Sequence, residues 1–527
     1  SAPAAAKLLG RDGILAQSKR VPVVTPRLKG SISLAGGRLD DLLLAQYRTE
    51  VKAGSPNIVL LSPVGAPEPY YAEFGWISAS GPGIKLPGGD AVWEADRAEL
   101  RPGQPLTLTW DNGEGLRFRR IFAVDDQYLF TVTQAVENRG EQAVTLHPYA
   151  LMSRHGTPKT LGFFILHEGP LGVFREKSDG GGTLKEHHYE DLSKAGTLEQ
   201  KTVGGWIGIT DKYWLTAIIP PNDASITAAF RHSGGAVDRY QVDMLGGATA
   251  VPARGNASFA MRLFAGAKEV RALDHYEANE KVLRFDLAID WGWFYFLTRP
   301  IFTAIDYFNH LLGNFGLAIL LLTVIIKTLF LPLAYKSYVS MSGMKRIQPQ
   351  MLELRERYAN EREKLSQEMM TLYRREKINP AAGCVPILLQ IPVFFALYKV
   401  LFVTIEMRHA PFYGWIKDLS DIDHTTWLNL FGLLPWGRPE LGTFDWLNLG
   451  VWPLLMGITM WLQMRLNPQP PDPIQARLLN LMPFFFTFLL ASFPAGLVIY
   501  WTWNNILSMA QQWFIMQRTN RPKPAKS

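Results

Sequence analysis

Lys327 is the residue in this chain with the strongest reason to do something that a packed helix does not require. It interrupts the otherwise apolar run from Leu317 to Leu333, and a cation at the centre of a spanning helix costs ~2.5–3.5 kcal/mol on the insertion scale. Counted at ~1.5 Å per residue it lies ~12 Å from Tyr335 and ~21 Å from Gly313, too deep for its ammonium to snorkel freely. Such a group must face protein or water. Thr323, one helical turn earlier, shares its face. Other apolar runs carry polar residues of their own: Gln390, Thr459, Gln463, Thr487, Tyr500, Thr502, Asn504, Asn505 and Gln512. No carboxylate lies well inside any of these runs. If the polar groups converge on Lys327, they line a hydrated cavity whose positive charge is uncompensated. The alternative is a structural Lys327 hydrogen-bonded to backbone carbonyls in a helix bundle. Lys399 lies ~10 Å from the end of its run by the same rise, and snorkelling accounts for it. A single interhelical hydrogen bond would account equally well for Gln390.

Covalent chemistry finds little support. There is no phosphate loop, Gly-x-Ser-x-Gly or His-Glu-x-x-His, and the histidines lack metal-ligand spacing. His147, His187 and His188 fall in strand-like sequence and read as surface or core residues. The single cysteine, Cys384, rules out an internal disulfide framework and a cysteine metal cluster. The expectation is a protein that is not an enzyme and carries no metal and no cofactor.

Residues 1–285 hold 32 Lys and Arg against 31 Asp and Glu, and residues 286–527 hold 22 against 16, so the net charge of +7 is concentrated in the second part. Those cations flank long apolar runs. Anionic lipid and positive-inside topology explain them better than nucleic acid, and no specific nucleic-acid recognition is expected.

These residues need elements to position them. Residues 22–266 alternate apolar and polar over short stretches, such as Leu106, Leu108 and Trp110, or Phe130, Val132, Gln134 and Val136. Gly, Pro and Asn turns punctuate them, which predicts a large soluble antiparallel sandwich or barrel with no helix between its strands. A helix over Val270–Val282 leads out, giving a domain of residues 22–285 after a linker of residues 1–21. The chain opens on Ser1 without an apolar run, so a segment upstream is expected to have been removed. Trp291-Gly292-Trp293-Phe294-Tyr295-Phe296 opens residues 291–312, which within a segment 286–312 read as an amphipathic helix lying in the membrane interface.

Five apolar stretches follow within 313–516: 313–335, 383–405, 447–466, 477–493 and 495–516. Each is near the ~20 residues that a spanning helix needs. Segment 336–377 carries ten Lys or Arg, the tail 517–527 carries four, and 407–446 carries three. The first two therefore face the cytoplasm, and the β domain lies outside it. Segment 336–380 reads as a helical hairpin. Met344, Ile347, Met351, Leu354 and Tyr358 form one apolar stripe and Leu365, Met369 and Leu372 another, either packing on each other or adding a docking face for partners.

The runs Gln348-Pro349, Glu353 to Arg357, Ser366 to Tyr373 and Lys377 to Pro386 resemble the cytoplasmic hairpin of the YidC insertases. Gln390 to Tyr398, Glu406 to Phe412, Trp415 to Ser420 and Phe493 to Tyr500 resemble that family's spans and outer loop. The likeness is close over 291–516 and looser over the β region. It implies an α+β membrane protein of the bacterial inner membrane: a periplasmic antiparallel β-sandwich (supersandwich), then a five-helix transmembrane bundle with a cytoplasmic helical hairpin. It also implies a hydrophilic groove open to the cytoplasm and to lipid and closed toward the periplasm. Thr323, Gln390 and Tyr500 match groove positions, with Ile391, Pro392 and Asn504 beside them. Lys327 stands where the family usually has Arg, keeping the charge and losing the planar fork. Trp501 stands where some members have a second Tyr. The implied activity is insertion and folding of inner-membrane proteins, alone or with the Sec translocon. The implied partners are nascent membrane proteins, the lipid bilayer, and the ribosome or signal recognition particle pathway. A solute or ion transporter and a membrane-tethered carbohydrate-binding protein are the alternatives.

Overall fold

The computed structural model of the protein describes residues 10–78, 83–160, 166–176, 180–379, 385–467 and 473–519. Cys384, the first nine residues of the linker and most of the basic tail lie outside the described residues. The chain divides into two units, residues up to Asp290 with Val403–Ile405, and Trp291–Phe402 with Glu406 onward.

The first unit is a β-sandwich of a ten-stranded and a nine-stranded sheet in which every ladder between strands is antiparallel. Strand Leu129–Asn138 shows why the alternation was readable: Phe130, Val132, Gln134 and Val136 all point into the core. Leu106 and Leu108 do the same one hairpin away. Two short helices interrupt or precede the strands, α1 (Arg11–Leu15) and α2 (Tyr189–Ala195). The second corrects the reading of an unbroken β region. Its Tyr189 and Leu192 are buried, so tertiary packing stabilises seven residues that have too little periodicity to declare themselves. Helix α3 (Val270–Ala278) follows the last strand as expected, ending four residues early.

Arg120 is buried in this core with no carboxylate within 4.0 Å among the described residues. It is held instead by backbone: Nη1 donates to the carbonyls of Gly36 (3.0 Å) and Gly37 (2.6 Å), Nη2 donates to that of Phe74, and the guanidinium lies 4.6 Å from the Trp93 ring centroid. Burial pushes its pKa down to about 10, still protonated at neutral pH.

His167 is a buried titratable group of this unit whose charge answers to pH. Its Nε2 donates to the Pro170 carbonyl at 3.2 Å, and its ring meets that of His188 at 5.2 Å. Burial first, and His188 second, push its pKa from 6.5 down to about 4. The unfolded chain therefore binds a proton that the native state refuses between those two values. Stability is full above pH 6.5 and is lost progressively as pH falls toward 4, by ~3 kcal/mol in all. Thermal unfolding of the full chain from pH 8 to 4 should show this loss, and His167→Gln should flatten it.

The second unit is helical: α4 (Tyr295–Leu312), α5 (Phe315–Leu329), α6 (Leu331–Arg357), α7 (Arg362–Arg375), α8 (Val385–Val403), α9 (Val451–Leu466), α10 (Pro473–Leu489) and α11 (Ala495–Thr519). Among the described residues, Ile474–Ser492 is by itself long and apolar enough to cross a bilayer, and only 22% of it is buried within the protein. Helices α5 and α6 meet that criterion together but bend by 67° at Phe330. The apolar stretch 313–335 is thus divided between two helices. Pro332 lacks the N–H that would continue the helix, so a new helix starts at Leu331 with proline in its first turn, where the missing donor costs nothing. The two stripes of the α6–α7 hairpin do pack on each other, Ile347 and Met351 against Leu372 with Leu354 and Met369 alongside, whereas Met344 and Leu365 are half-buried at the margin.

Candidate functional site: a cavity around Lys327

Helix α5 begins at Asn314, whose side chain accepts from the Leu317 N–H at 3.0 Å as an N-cap. Three turns on, Thr323 is buried and returns its hydroxyl to the Ile319 carbonyl at 2.7 Å. Lys327 follows on the same face, one turn before the bend. Its Nζ donates to Ser508 Oγ at 2.7 Å and to Gln390 Oε1 at 3.3 Å, and these two neutral groups are its hydrogen-bond partners. No carboxylate lies within 4.0 Å of it among the described residues. The charge is solvated in part and compensated by none of the described residues.

Ser508 belongs to α11, where Tyr500, Asn504, Ser508 and Gln511 recur at helical spacing and present one polar stripe. Gln511 donates to the Lys327 carbonyl at 3.3 Å and Ser508 to the Asn504 carbonyl at 2.7 Å. Tyr500, Asn504 and Gln511, with Lys327, Thr323, Gln390 and Tyr338 and an apolar wall that includes Phe330, Leu333 and Val393, line a cavity of about 50 Å³, several times the ~10–15 Å³ that one water needs. Asn504 is 8% exposed, and its Oδ1 has no hydrogen-bond partner. A buried acceptor left unsatisfied beside a cavity large enough for water calls for water or a ligand donor.

Of the polar residues singled out in the sequence, Thr323, Lys327, Gln390, Tyr500 and Asn504 come together. The others do not. Asn505 bonds Thr459 at 3.2 Å and Gln512 bonds the Leu466 carbonyl at 3.1 Å, tying α11 to α9 on the opposite face, while Thr487 and Thr502 return their hydroxyls to their own helices. Ile391 and Pro392 do not line the cavity, and the Ile391 side chain is exposed. Trp501 lies instead between the rings of Phe394 (4.7 Å) and Phe486 (5.4 Å). Lys399 does not snorkel. It is buried, its stem against Gly292, whose φ of +72° and missing Cβ make the room. Ser508 and Gln511 were missed, although their four-and-three spacing from Asn504 inside an apolar helix was a legible signal.

Toward the N-termini of α5 and α11 the cavity gives way to an apolar cluster of Ala410, Ile416, Leu419, Ala495 and Ile499, with Phe315, Leu320 and Phe412 against it. The connection between α8 and α9 supplies part of this cluster. The carbonyls of Asp421 and Leu419 accept the first N–H groups of α11 from Ala495 (2.6 Å) and Gly496 (2.9 Å). Gly316 admits the Phe412 ring so closely that a Cβ there would lie 2.1 Å from it. Gly316→Leu should therefore destabilise this unit by ~1–3 kcal/mol and make proteoliposomes leak protons, read with a pH-sensitive dye.

The family model described as YidC periplasmic domain matches residues 20–304, and that described as 60Kd inner membrane protein matches 307–523. The membrane protein insertase YidC of Methylorubrum extorquens (strain PA1) is 54% identical over 97% of this chain and 83% of its own length. The chain belongs to the YidC family of membrane protein insertases. YidC of Bradyrhizobium diazoefficiens (strain JCM 10833 / BCRC 13528 / IAM 13628 / NBRC 14792 / USDA 110) is 53% identical over 98% of this chain and 86% of its own. A crystal structure of an active YidC insertase with its first transmembrane domain resolved covers 93% of this chain and 92% of that one, at 16% identity and a TM-score of 0.38. Like its YidC relatives, this protein is an inner-membrane insertase and not an enzyme, with its β-sandwich in the periplasm and membrane proteins and the bilayer as its partners. The transporter and carbohydrate-binding alternatives are set aside by that membership.

Proposed function

We propose that the cavity around Lys327 is where this insertase receives the polar tail of a client while the client's hydrophobic segment passes into lipid along the outside of α8 and α10. In this reading α5, α8, α9, α10 and α11 are the five spans of the core 313–516, α4 lies in the interface within 286–312, and the hairpin 336–380 and tail 517–527 are cytoplasmic. Residues 1–21 link to the periplasmic domain 22–285. Lys327, Thr323, Gln390, Tyr500 and Asn504 meet the tail, and the exposed Ile391, with Pro392 and Trp501, borders the path of the apolar segment. Met344, Met351, Leu365 and Met369 of the hairpin keep its two helices together, leaving its basic outer face for the ribosome or the signal recognition particle pathway. The Sec translocon is a further partner for larger clients, and the same surface serves as a chaperone for their folding.

The observation that carries this is the set of partners around Lys327: two neutral side chains, a cavity and an unsatisfied amide oxygen, with no carboxylate within 4.0 Å among the described residues. A polar tail crossing ~30 Å of hydrocarbon meets water and hydrogen-bonding groups for part of the way, which lowers its barrier without fuel. Transfer of the apolar segment into lipid supplies the drive. A photocrosslinker at Gln390 or Tyr500 should capture the tail of a stalled nascent chain, and one at Asn505, which faces α9, should not. Equal capture from all three would overturn this route.

A further inference from the structure

The loop between α8 and α9 carries an inside-out segment, 426–448. Three of its polar side chains are buried, Thr426, Asn429 and Asn448, whereas Glu440 is exposed. Thr426 and Asn429 form a capping box, Thr426 Oγ1 bonds Asn448 at 3.0 Å, Asn448 bonds Asp445 at 2.7 Å, and Asn429 Oδ1 accepts from Gly432 at 2.8 Å. Its large apolar side chains point outward. Leu430 and Phe431 are both exposed and both left-handed, with φ of +50° and +60°, a conformation that a Cβ disfavours. Leu433 beside them is 85% exposed. The internal bonds hold two consecutive non-glycine residues in unfavourable backbone geometry, and the result is to display apolar surface.

Lipid is the occupant that fits this surface. Trp427 and Trp436 are half-exposed, yet their indole N–H groups are satisfied within the loop, by the carbonyls of Leu447 (2.8 Å) and Leu428 (3.4 Å), and need no water. Arg438 is paired with Asp445 at 2.7 Å, so it is not a free charge. The surface is also continuous with a face already assigned to the bilayer: the Trp446 ring meets Phe488 of α10 at 5.5 Å, and α10 exposes Leu481, Phe484 and Phe485. Aromatic and aliphatic residues so placed belong at the boundary of headgroups and acyl chains.

We propose that segment 426–448 is a membrane anchor in its own right, inserting Leu430, Phe431 and Leu433 into the outer leaflet beside the outer ends of α8 and α9. The proposal rests on the span assignment above. The test uses the full chain in a Cys384→Ala background, with nitroxides at Leu430→Cys and Leu433→Cys, in phosphatidylcholine and phosphatidylglycerol vesicles. Collision rates with oxygen and with a water-soluble nickel complex are compared. Leu481→Cys on α10 serves as the lipid reference and Lys52→Cys on the β domain as the water reference. Both loop labels should favour oxygen over nickel several-fold, as Leu481→Cys does. Loop labels that match Lys52→Cys while Leu481→Cys stays lipid-exposed would overturn the anchor and leave the spans intact. Loop labels shielded from both reagents would overturn it in favour of a second copy covering the loop. A water-exposed Leu481→Cys would overturn the span assignment and the anchor with it.

Discussion

Replacing Lys327 by Glu is expected to lower insertion of clients with acidic tails at least ~10-fold in reconstituted vesicles while leaving the β domain folded. A carboxylate ~5 Å from the ammonium at an effective dielectric near ~20 is held by ~3 kcal/mol, and the substitution turns that attraction into repulsion of similar size. Partial hydration of the cavity reduces the effect, which is why tenfold is the floor. The fold should tolerate the change. Gln390 can turn its amide to donate, and the Ser508 hydroxyl can rotate, so a carboxylate at 327 finds partners among the same two groups. Clients with neutral tails should be affected far less, and Lys327→Arg should retain most activity. Full activity of Lys327→Glu on acidic tails would remove the electrostatic step and leave the insertase assignment standing on the family.

Arg120→Met is expected to be the most damaging single change in the periplasmic domain, at ~3–5 kcal/mol. The guanidinium supplies hydrogen bonds to three buried carbonyls, of Gly36, Gly37 and Phe74, and methionine leaves all three unsatisfied. Arg120→Lys should cost less, because an ammonium can still serve part of that set from a single point. Near-ultraviolet dichroism of the full chain against temperature would show it, and a loss below ~1 kcal/mol would mean that water replaces the guanidinium at those carbonyls. Among the described residues neither Arg120 nor Lys327 has a carboxylate within 4.0 Å, yet the two differ in kind. Backbone carbonyls and a stacked indole satisfy the first completely. The second borders a cavity beside an amide oxygen that nothing satisfies.

That contrast marks where sequence reasoning stops. A cation in an apolar helix is conspicuous because its neighbours are uniformly apolar, so Lys327 could be singled out and its face inferred from Thr323. Arg120 occupies a strand, Leu116–Val124, whose period of two places it on the inward face with Leu116, Phe118, Phe122 and Val124 and opposite the exposed Arg119, but charged residues recur beside it and a cation on an alternating strand is not conspicuous. The sheets were legible because the period of two matched burial on strands such as Leu129–Asn138. Helix α2 was not, since seven residues with two buried contacts carry no period to read. The bend at Phe330 was available in principle through Pro332, but an apolar run long enough to span a bilayer masked it. The fate of Lys399 depended on Gly292, more than a hundred residues away, a close approach that no spacing rule reveals. The polar residues of α11 show the same limit. Asn504 and Asn505 are adjacent in sequence, and only packing decides that one faces the cavity and the other holds α9.

The claim on which the functional account rests is that position 327 is reached by water from the cytoplasmic side and shut off from the periplasmic side. Lys327→Cys in a Cys384→Ala background, reacted with a membrane-impermeant maleimide, measures this directly. Inverted vesicles, which present the cytoplasmic face, should be labelled rapidly, and right-side-out vesicles should be labelled only after the seal is loosened by Gly316→Leu. Equal protection from both faces, or labelling from the periplasmic face of the otherwise unaltered protein, would contradict the account.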